Sequence, residues 1–245
     1  MNFQISQEQI KELQNFNNNI IFNWPQELDF CDVCLIKVPL QKDELIYCDL
    51  CNGLTHQSCY GGQLQNIIPE NQWFCQRCEL IIDKYLNNKK AEILKCHYCP
   101  ELKGIMKKYY TVETKEEIWS HIACIAWQKN IKIINGNIIE NQYKLKKTTT
   151  YCKICGISYG ICGYCFKNDC DFSFHYLCAK RQGLIQDTFQ MNQLFQLKQN
   201  QQQILGQDNY IVYCQKHLLE LQNLQNNQFL KGKFYLKYVS IETIV

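Results

Sequence analysis

Cysteine and histidine residues recur along this chain at a spacing that suits metal coordination. Sixteen of the 17 cysteines and four of the five histidines form ten pairs, nine separated by two residues and one by four. A CxxC or HxxC step presents two donor atoms to one ion, and a structural zinc site takes four sulfur or nitrogen ligands. Twenty such residues fill five tetrahedral sites. The spacing therefore predicts a chain that folds around five structural zinc ions.

The order of the pairs indicates how they share the ions. Residues 31–78 and 152–217 each contain eight predicted ligands in four pairs, and a histidine opens the third pair in both, as expected for a repeated unit. Eight ligands in a short stretch are usually interleaved as a cross-brace, in which pairs one and three hold one ion and pairs two and four hold the other. The predicted sets are Cys31, Cys34, His56 and Cys59; Cys48, Cys51, Cys75 and Cys78; Cys96, Cys99, His121 and Cys124; Cys152, Cys155, His175 and Cys178; and Cys165, Cys170, Cys214 and His217.

A secreted disulfide framework is the alternative explanation for so many cysteines. The N-terminal stretch MNFQISQEQIKELQNFNNN lacks the basic segment and apolar run of a signal peptide. Disulfides would also not explain four histidines at metal spacing. No stretch approaches the roughly 18 uninterrupted apolar residues of a membrane span. We therefore expect a reduced, intracellular zinc protein.

Charge is distributed unevenly along the chain. Residues 1–80 carry 4 basic and 10 acidic side chains, whereas residues 81–181 carry 17 basic and 9 acidic side chains. An acidic front suits a basic peptide, and a basic middle suits phosphate groups. Ordinary solvated surface charge is the alternative for either segment.

Four motifs, in this order, resemble a known arrangement of zinc fingers. Residues 31–78 resemble a PHD finger, the central unit a zinc knuckle, and the third unit an extended PHD finger. The whole is similar to the cassette of bromodomain-PHD and JADE-type scaffold subunits of histone acetyltransferase complexes. The motifs are CDLCNGLTHQSCYG (48–61), IPENQWFCQRC (68–78), WSHIACIAW (119–127) and GICGYC…C…FHYLCAKRQGL (160–184).

A RING finger uses a similar brace and is the main alternative. Two features favour the PHD interpretation. A histidine is the fifth of the eight predicted ligands in both the first and the third module, and Trp73 precedes Cys75 by two residues. In this interpretation Trp73 is a core residue of a small domain.

The resemblance implies a fold class of small zinc-stabilised α+β modules, namely two cross-brace PHD-type fingers joined by a zinc knuckle, with little regular secondary structure. Ser6 and Gln9 at capping-box spacing predict a short helix within residues 6–16. The expected domains are an N-terminal helix or extension (1–29), a PHD finger (30–80), a helical linker (81–95), a zinc knuckle (96–140), an extended PHD finger (141–218) with a Gln-rich insertion (190–208), and a C-terminal helix or strand tail (219–245).

PHD fingers of this family typically bind the N-terminus of histone H3 by strand addition. The resemblance implies a receiving strand, carboxylates that face the basic side chains of the tail, and a loop whose carbonyls accept from the tail's α-amine. The candidate histone-tail residues are Asp43, Glu44, Leu45, Ile46, Tyr47, Asp49, Pro69, Glu70 and Asn71.

Recognition of a methylated lysine needs an aromatic cage. Leu54 occupies the position that carries Trp in relatives that read the trimethyl mark, and the strand begins with Asp43 and Glu44. A cage is therefore not expected, and we predict a preference for an unmodified lysine at the fourth tail position.

The resemblance also implies weak, non-specific contact of the extended finger with nucleosomal DNA. Such contact would be sequence-blind and strongly salt-dependent. The candidate phosphate-contacting residues are Lys103, Lys107, Lys108, Lys144, Lys146, Lys147, Lys153, Lys167, Lys180 and Arg181.

The sequence gives no reason to expect catalysis. Protein ligands fill every zinc position, which leaves none open for water or substrate. Cys162 is expected to be a buried filler and His97 an exposed turn residue, and neither has a catalytic partner nearby in sequence. We expect a nuclear, non-enzymatic chromatin reader. Its partners would be other subunits of a chromatin-modifying complex, such as a histone acetyltransferase complex. The alternative is a structural scaffold subunit whose fingers contact other proteins.

Overall fold

The computed structural model describes residues 3–16, 30–36, 43–89, 93–111, 115–127, 131–134, 137–140, 150–187 and 210–220. The chain divides into two compact units, Met1–Thr148 and Thr149–Val245, which we call the first and second units. The helices are α1 (Gln7–Phe16), α2 (Gln57–Tyr60), α3 (Gln76–Leu86), α4 (Ile122–Ala126) and α5 (Tyr176–Arg181). The strands are β1 (Leu45–Tyr47), β2 (Leu54–His56), β3 (Met106–Thr111), β4 (Glu117–His121), β5 (Ile131–Ile134), β6 (Asn137–Glu140), β7 (Gly163–Tyr164), β8 (Ser173–Phe174), β9 (Ile185–Asp187) and β10 (Tyr210–Val212).

Helix α1 begins with the capping box that the sequence predicts. The Ser6 N–H donates to Gln9 Oε1 (2.9 Å), and the Gln9 N–H donates to Ser6 Oγ (3.1 Å). These two bonds satisfy amides at the helix start that have no partner within the helix. Ile10 and Leu13, which lie on one face of the helix, are buried. The predicted short helix is confirmed.

In the first finger, a small hairpin is followed by two helices. Strands β1 and β2 pair antiparallel, with Ile46 opposite Thr55. Strand β2 is fully buried and runs directly into α2, whereas β1 is only half-buried. Short elements of this kind suit a domain that is held together by metal ligands rather than by a large apolar core.

Helix α3 belongs to this finger as well as to the segment that follows it. The sequence predicted a helical linker from residue 81, but the helix begins at Gln76 and ends at Leu86. Cys78 lies in its first turn, and Ile81 and Ile82 are buried. The helix therefore starts earlier than expected because metal ligation and apolar burial place it inside the first unit.

The knuckle adds a four-stranded sheet with the order β4-β3-β6-β5. Strands β3 and β4 are antiparallel, β3 and β6 are parallel, and β5 and β6 form an antiparallel pair. The short helix α4 follows β4 directly and carries the last ligand of the knuckle site.

The finger and the knuckle contact each other within the first unit. The buried Asp32 accepts a hydrogen bond from the Ile105 N–H at Oδ2 (2.9 Å). Lys107 Nζ donates to the Tyr60 carbonyl (3.0 Å) and lies 4.4 Å from the centroid of the Tyr60 ring. A carbon atom at the Cβ position of Gly53 would lie only 2.7 Å from Ile105 Cγ1. These contacts explain why the two modules form one compact unit.

The second unit contains two small antiparallel ribbons, β7 with β8 and β9 with β10. Helix α5 follows β8, and residues 215–220 are also helical. Strands β9 and β10 flank the predicted Gln-rich insertion 190–208, which lies outside the described residues together with most of the predicted tail 219–245. Within the described ranges, no helix is both long and apolar enough to cross a lipid bilayer.

We expect Gly53→Ala to lower the free energy of unfolding by about 1–3 kcal/mol, because the added methyl group overpacks against the buried Ile105. Urea denaturation of the zinc-loaded protein measures this change. Gly163→Ala is the control, since its added Cβ would meet the Phe174 ring at an ordinary 3.4 Å. In a double-mutant cycle with Ile105→Ala, the two effects should be less than additive. Full additivity would contradict the proposed contact.

Candidate functional site

The structure brings the predicted ligands together in five groups of four. In each group the donor atoms lie within 4.8 Å of one another. The groups are Cys31, Cys34, His56 and Cys59; Cys48, Cys51, Cys75 and Cys78; Cys96, Cys99, His121 and Cys124; Cys152, Cys155, His175 and Cys178; and Cys165, Cys170, Cys214 and His217. This grouping is the interleaved one that a cross-brace requires.

The distances between donor atoms fit tetrahedral zinc. Ligands at the usual zinc bond lengths place two sulfur atoms about 3.8 Å apart, and a sulfur and a nitrogen atom about 3.6 Å apart. The Cys99 and Cys124 Sγ atoms are 3.6 Å apart. Distances from cysteine Sγ to histidine Nδ1 range from 3.2 to 3.9 Å. Sulfur and imidazole donors are also the ligands that zinc prefers, so the five groups suit five zinc ions.

One hydrogen bond recurs in all five groups. The first cysteine of each group accepts, at Sγ, the main-chain N–H of the group's third ligand, over 3.3–3.4 Å. These bonds place negative sulfur next to main-chain donors and join the two distant pairs of each site. The acceptor and donor residues are Cys31 with His56, Cys48 with Cys75, Cys96 with His121, Cys152 with His175, and Cys165 with Cys214.

Four sites also share the way in which a helix begins. The third ligand occupies the N-cap position in an extended conformation, and the fourth lies in the first turn of the helix that follows. An HxxC or CxxC step at a helix start therefore points both donor atoms at one ion. The N-cap residues are His56, Cys75, His121 and His175.

Arg77 lies beside the four-cysteine site and was not anticipated from the sequence. Its side chain is 2% exposed, and Nη1 donates to the Leu102 carbonyl (2.6 Å). Burial alone lowers the pKa of Arg77, but the neighbouring thiolates, of which Cys51 contributes most, outweigh it and raise the pKa. Zinc with four thiolates carries a net charge of −2, so the buried guanidinium compensates charge that would otherwise be buried alone.

The ring of His175 is oriented by contacts at both of its nitrogen atoms. Its Nδ1 faces Cys155 Sγ (3.5 Å), and its Nε2 lies 2.7 Å from the Tyr159 carbonyl. A hydrogen bond from the second ring nitrogen fixes the tautomer and the direction of a metal-binding histidine. The Tyr159 carbonyl therefore orients His175, a role that no spacing pattern in the sequence indicates.

Within the part of the chain that the structure describes, strand β1 has one edge without a neighbour. Its sheet contains only β1 and β2 within the described residues. The Gln57 N–H donates to the Glu44 carbonyl and the Cys48 N–H donates to the Gly53 carbonyl. Because hydrogen-bonding positions alternate along an antiparallel strand, the main-chain groups of Leu45 and Tyr47 point away from β2. They are positioned to receive another strand.

The three predicted tail-binding carboxylates have different surroundings. Asp43 accepts hydrogen bonds from the Ser58 N–H and hydroxyl groups, and Asp49 Oδ2 accepts one from the Trp73 N–H (2.6 Å). Glu44 is exposed, and its carboxylate makes no hydrogen bond or ion pair within the described part of the chain. Of the predicted loop, Glu70 and Asn71 are exposed and Pro69 is half-buried.

Comparison with known proteins gives the same assignment for both finger regions. A family model described as "PHD-zinc-finger like domain" matches residues 94–217, half of the chain, and one described as "PHD-finger" matches residues 31–78. The chain belongs to the PHD-zinc-finger like family. The predicted PHD and extended PHD fingers are thereby confirmed.

Several relatives of this PHD-family chain have chromatin-related names. It is 31% identical to protein Jade-1 of Danio rerio over 163 residues, 64% of this chain and 18% of that protein. It is 31% identical to human bromodomain and PHD finger-containing protein 3 over 165 residues, 63% of this chain and 12% of that protein. Identity to the histone-lysine N-methyltransferase ATX2 of Arabidopsis thaliana is 29% over 200 residues, 78% of this chain and 17% of that protein. The chain thus spans less than a fifth of each of these three proteins.

The fold also resembles that of a solved structure. The crystal structure of zebrafish PHF14-PZP superposes with a TM-score of 0.52 at 23% sequence identity, covering 83% of this chain and 97% of that one. This likeness concerns the fold alone. It agrees with the predicted class of small zinc-binding modules with short helices and small sheets.

The predicted DNA-contacting residues of this PHD-family chain lie in both units rather than in one. Lys107 is held by Tyr60, and burial lowers its pKa. Lys108 pairs with Glu117 (3.3 Å) and Lys153 with Asp171 (2.7 Å). Of the other candidates, Lys103 and Lys180 are half-buried, Lys167 and Arg181 are exposed, and Lys144, Lys146 and Lys147 lie outside the described residues.

Three other predicted residues can now be located. His97 is exposed, as expected. Cys162 is half-buried rather than buried, and burial, with a contribution from Cys152 and Cys155, raises the pKa of its thiol to about 12. Trp73, expected to be a core residue, is half-buried and packs edge-on against Tyr60, with ring centroids 4.9 Å apart. The buried aromatic residue of this segment is its neighbour Phe74.

Two cysteines three positions apart, Cys162 and Cys165, provide a direct test of the ligand assignment. We expect Cys165→Ser to lose one equivalent of zinc, because Cys165 belongs to a four-ligand group, whereas Cys162→Ser retains all five because Cys162 does not. Elemental analysis of the purified variants measures the zinc content. Loss of zinc from the Cys162 variant, or full retention by the Cys165 variant, would contradict the assignment.

Proposed function

We propose that this chain is a non-enzymatic chromatin reader whose first finger binds the N-terminal tail of histone H3. The observation that carries the proposal is the edge of β1 that has no partner strand among the described residues, where Leu45 and Tyr47 direct main-chain groups outward. A peptide strand added at this edge gains main-chain hydrogen bonds of about 0.5–1.5 kcal/mol each. Specificity then depends on the side chains at the ends of the edge.

The charges around the edge support a basic peptide as the occupant. Asp43 and Glu44 lie at the start of β1, and Asp49 follows its end. Ser58 and the Trp73 N–H hold the carboxylates of Asp43 and Asp49 in place by hydrogen bonds. Fixed carboxylates and the exposed Glu44 form an acidic border that suits the arginine and lysine side chains of the tail.

Burial of Leu54 supports a preference for an unmodified lysine at the fourth tail position. Leu54 lies opposite Tyr47 in the hairpin and is 4% exposed. An aliphatic side chain packed into the finger offers no face to a trimethylammonium group, which binds to aromatic rings. The acidic border instead suits the charged, hydrogen-bonding ammonium group of the unmodified side chain.

We further propose that the protein acts without its own catalysis, in the nucleus, within a complex that includes a histone-modifying enzyme. The closed ligand sets support this role, because protein donors complete all five sites. The similarity to a protein named as a histone-lysine N-methyltransferase supports a histone-modifying setting. The resemblance of the motifs to scaffold subunits of histone acetyltransferase complexes implies an acetyltransferase partner. Any chemistry would then belong to the partner.

A scaffold role is the second candidate function, and the surface of the second unit favours it. Tyr151, Tyr164 and Phe166 are each about half exposed although they are large aromatic residues. Tyr and Phe are enriched in the buried parts of protein interfaces. In this role the fingers would hold other subunits, and the edge of β1 would not bind a histone tail.

A peptide-binding experiment separates the two functions. Fluorescence polarisation should show binding of an unmodified H3 tail peptide and weaker binding of the peptide trimethylated at its fourth residue. Glu44→Gln should weaken binding about tenfold, because a charge-assisted contact is lost. Glu116→Gln, an exposed acidic residue on the knuckle, is the matched control and should have no effect. If neither peptide binds while partner subunits copurify, the scaffold role is correct.

Weak DNA contact by the second unit is also proposed and has its own test. Binding to bare duplex should fall steeply with salt, and Lys167→Gln should reduce the slope of log K against log salt by about one. Lys89→Gln is the control, because Lys89 is an exposed lysine of the first unit that is not among the candidate DNA-contacting residues. A salt-independent signal would remove DNA from the proposed partners.

A further inference from the structure

Residues 3–16, which we call the N-terminal segment, pack against the first finger although they lie outside residues 31–78, the span matched as a PHD finger. The PHD-finger family model begins only at residue 31. Ile5, Ile10 and Leu13 of this segment are nevertheless buried, with Leu13 only 1% exposed. The segment is therefore a component of the first unit that the family pattern does not include.

The segment makes specific polar contacts along its length. Gln14 Nε2 donates to the Leu50 carbonyl (2.9 Å), in the loop that contains Cys48 and Cys51. Near the C-terminal end of α3, the Tyr85 hydroxyl donates to Glu12 Oε2 (2.6 Å). These bonds, together with the buried apolar face of α1, fix the segment in one orientation on the finger.

The start of the segment is joined to the finger by one glutamine side chain. The Ile5 N–H donates to Gln72 Oε1 and Gln72 Nε2 donates to the Ile5 carbonyl, both over 3.0 Å. The Gln72 amide thus pairs with both main-chain groups of Ile5, as a neighbouring strand would. Bonding at both ends fixes the position of Gln72 as well as that of Ile5.

Gln72 follows directly after residues 67–71, which we call the tail-binding loop. Within the described residues, the main-chain groups of this loop make no hydrogen bond to the rest of the finger. The loop is held at its C-terminal end, where Trp73 exchanges hydrogen bonds with Asp49 and Gln72 pairs with Ile5. Two adjacent anchors, one of them provided by the N-terminal segment, therefore set the position of the loop.

We propose that the N-terminal segment is a positioning element for histone-tail binding, which acts through Gln72 to hold the carbonyl groups of the tail-binding loop toward the α-amine of the peptide. This inference rests on the proposed function. Gln72 and Ile5 are positioning residues, since they act on the peptide through the loop. Without them the loop populates more conformations, and fewer of these present its carbonyls to the amine.

The ratio of two affinities tests this role in the full chain. Affinities are measured for the unmodified H3 peptide with a free N-terminus and for the same peptide acetylated at its N-terminus. The wild-type chain should favour the free amine by about tenfold, the value of one charge-assisted contact. Gln72→Ala should reduce this ratio to about one while binding to the acetylated peptide changes little.

A second variant shows whether the effect comes from the segment rather than from Gln72 itself. Leu13→Asp introduces a carboxylate on the buried face of α1 and displaces the segment, so it should reduce the ratio in the same way. Lys11→Gln changes an exposed side chain of α1 that makes none of these contacts and should keep the wild-type ratio. Zinc content and melting temperature, measured on every variant, identify any that have lost the fold.

Each result leads to a distinct conclusion. A wild-type chain that binds neither peptide overturns the proposed function, and the positioning role with it. If the wild-type chain prefers the free amine tenfold, and zinc-loaded Gln72→Ala and Leu13→Asp show the same preference, only the positioning role is overturned. An increase in affinity on displacing the segment would likewise overturn it, because the segment would then obstruct the loop.

Discussion

Zinc–thiolate coordination is the interaction on which the rest of this structure depends. Helices as short as α2 and α4, and strands of two or three residues, bury too little apolar surface to hold a domain together. Each metal site joins two pairs that are far apart in the sequence, such as Cys31/Cys34 with His56/Cys59. Zinc binding contributes about 10–16 kcal/mol per structural site. In each site an N–H to sulfur hydrogen bond also joins the two pairs. Metal coordination therefore stabilises these modules in the way that a large apolar core stabilises larger domains.

Concentrated negative charge is a consequence of this construction, and the first unit accommodates it by packing. The four-cysteine site lies beside Arg77, whose guanidinium reaches across to the Leu102 carbonyl ahead of the knuckle sheet. One buried cation thus offsets part of the charge of the metal site and joins the finger to the knuckle. Asp32 of the finger forms a second link of this kind, because its carboxylate accepts the Ile105 N–H. Charge compensation and module assembly are in this way parts of the same interface.

The sequence predicted the local features of this protein better than the long-range ones. Ligand pairs and the Ser6–Gln9 capping box depend on residues two to four positions apart, so their geometry is encoded in short motifs. The buried role of Arg77 was missed because an arginine between two cysteines of a CxxC step does not reveal which groups will surround it in the fold. The contact between Ile5 and Gln72 spans 67 residues, and a glutamine at a loop end has many other uses. Helix α3 began earlier than predicted because Cys78 and the buried Ile81 lie on the same helix.

Under the proposed function, recognition through main-chain groups changes which residues matter for affinity. At the β1 edge the hydrogen-bonding groups belong to the backbone, so substitution of Leu45 or Tyr47 leaves these groups in place, whereas movement of the strand displaces them. Two metal sites hold that edge, through Cys48 directly after β1 and through His56 at the end of the paired strand β2. The tail-binding loop has no metal ligand between Cys59 and Cys75, and it depends instead on Asp49 and the N-terminal segment. A zinc-organised finger thus acquires its binding geometry from metal where ligands are dense, and from packed neighbouring segments where they are absent.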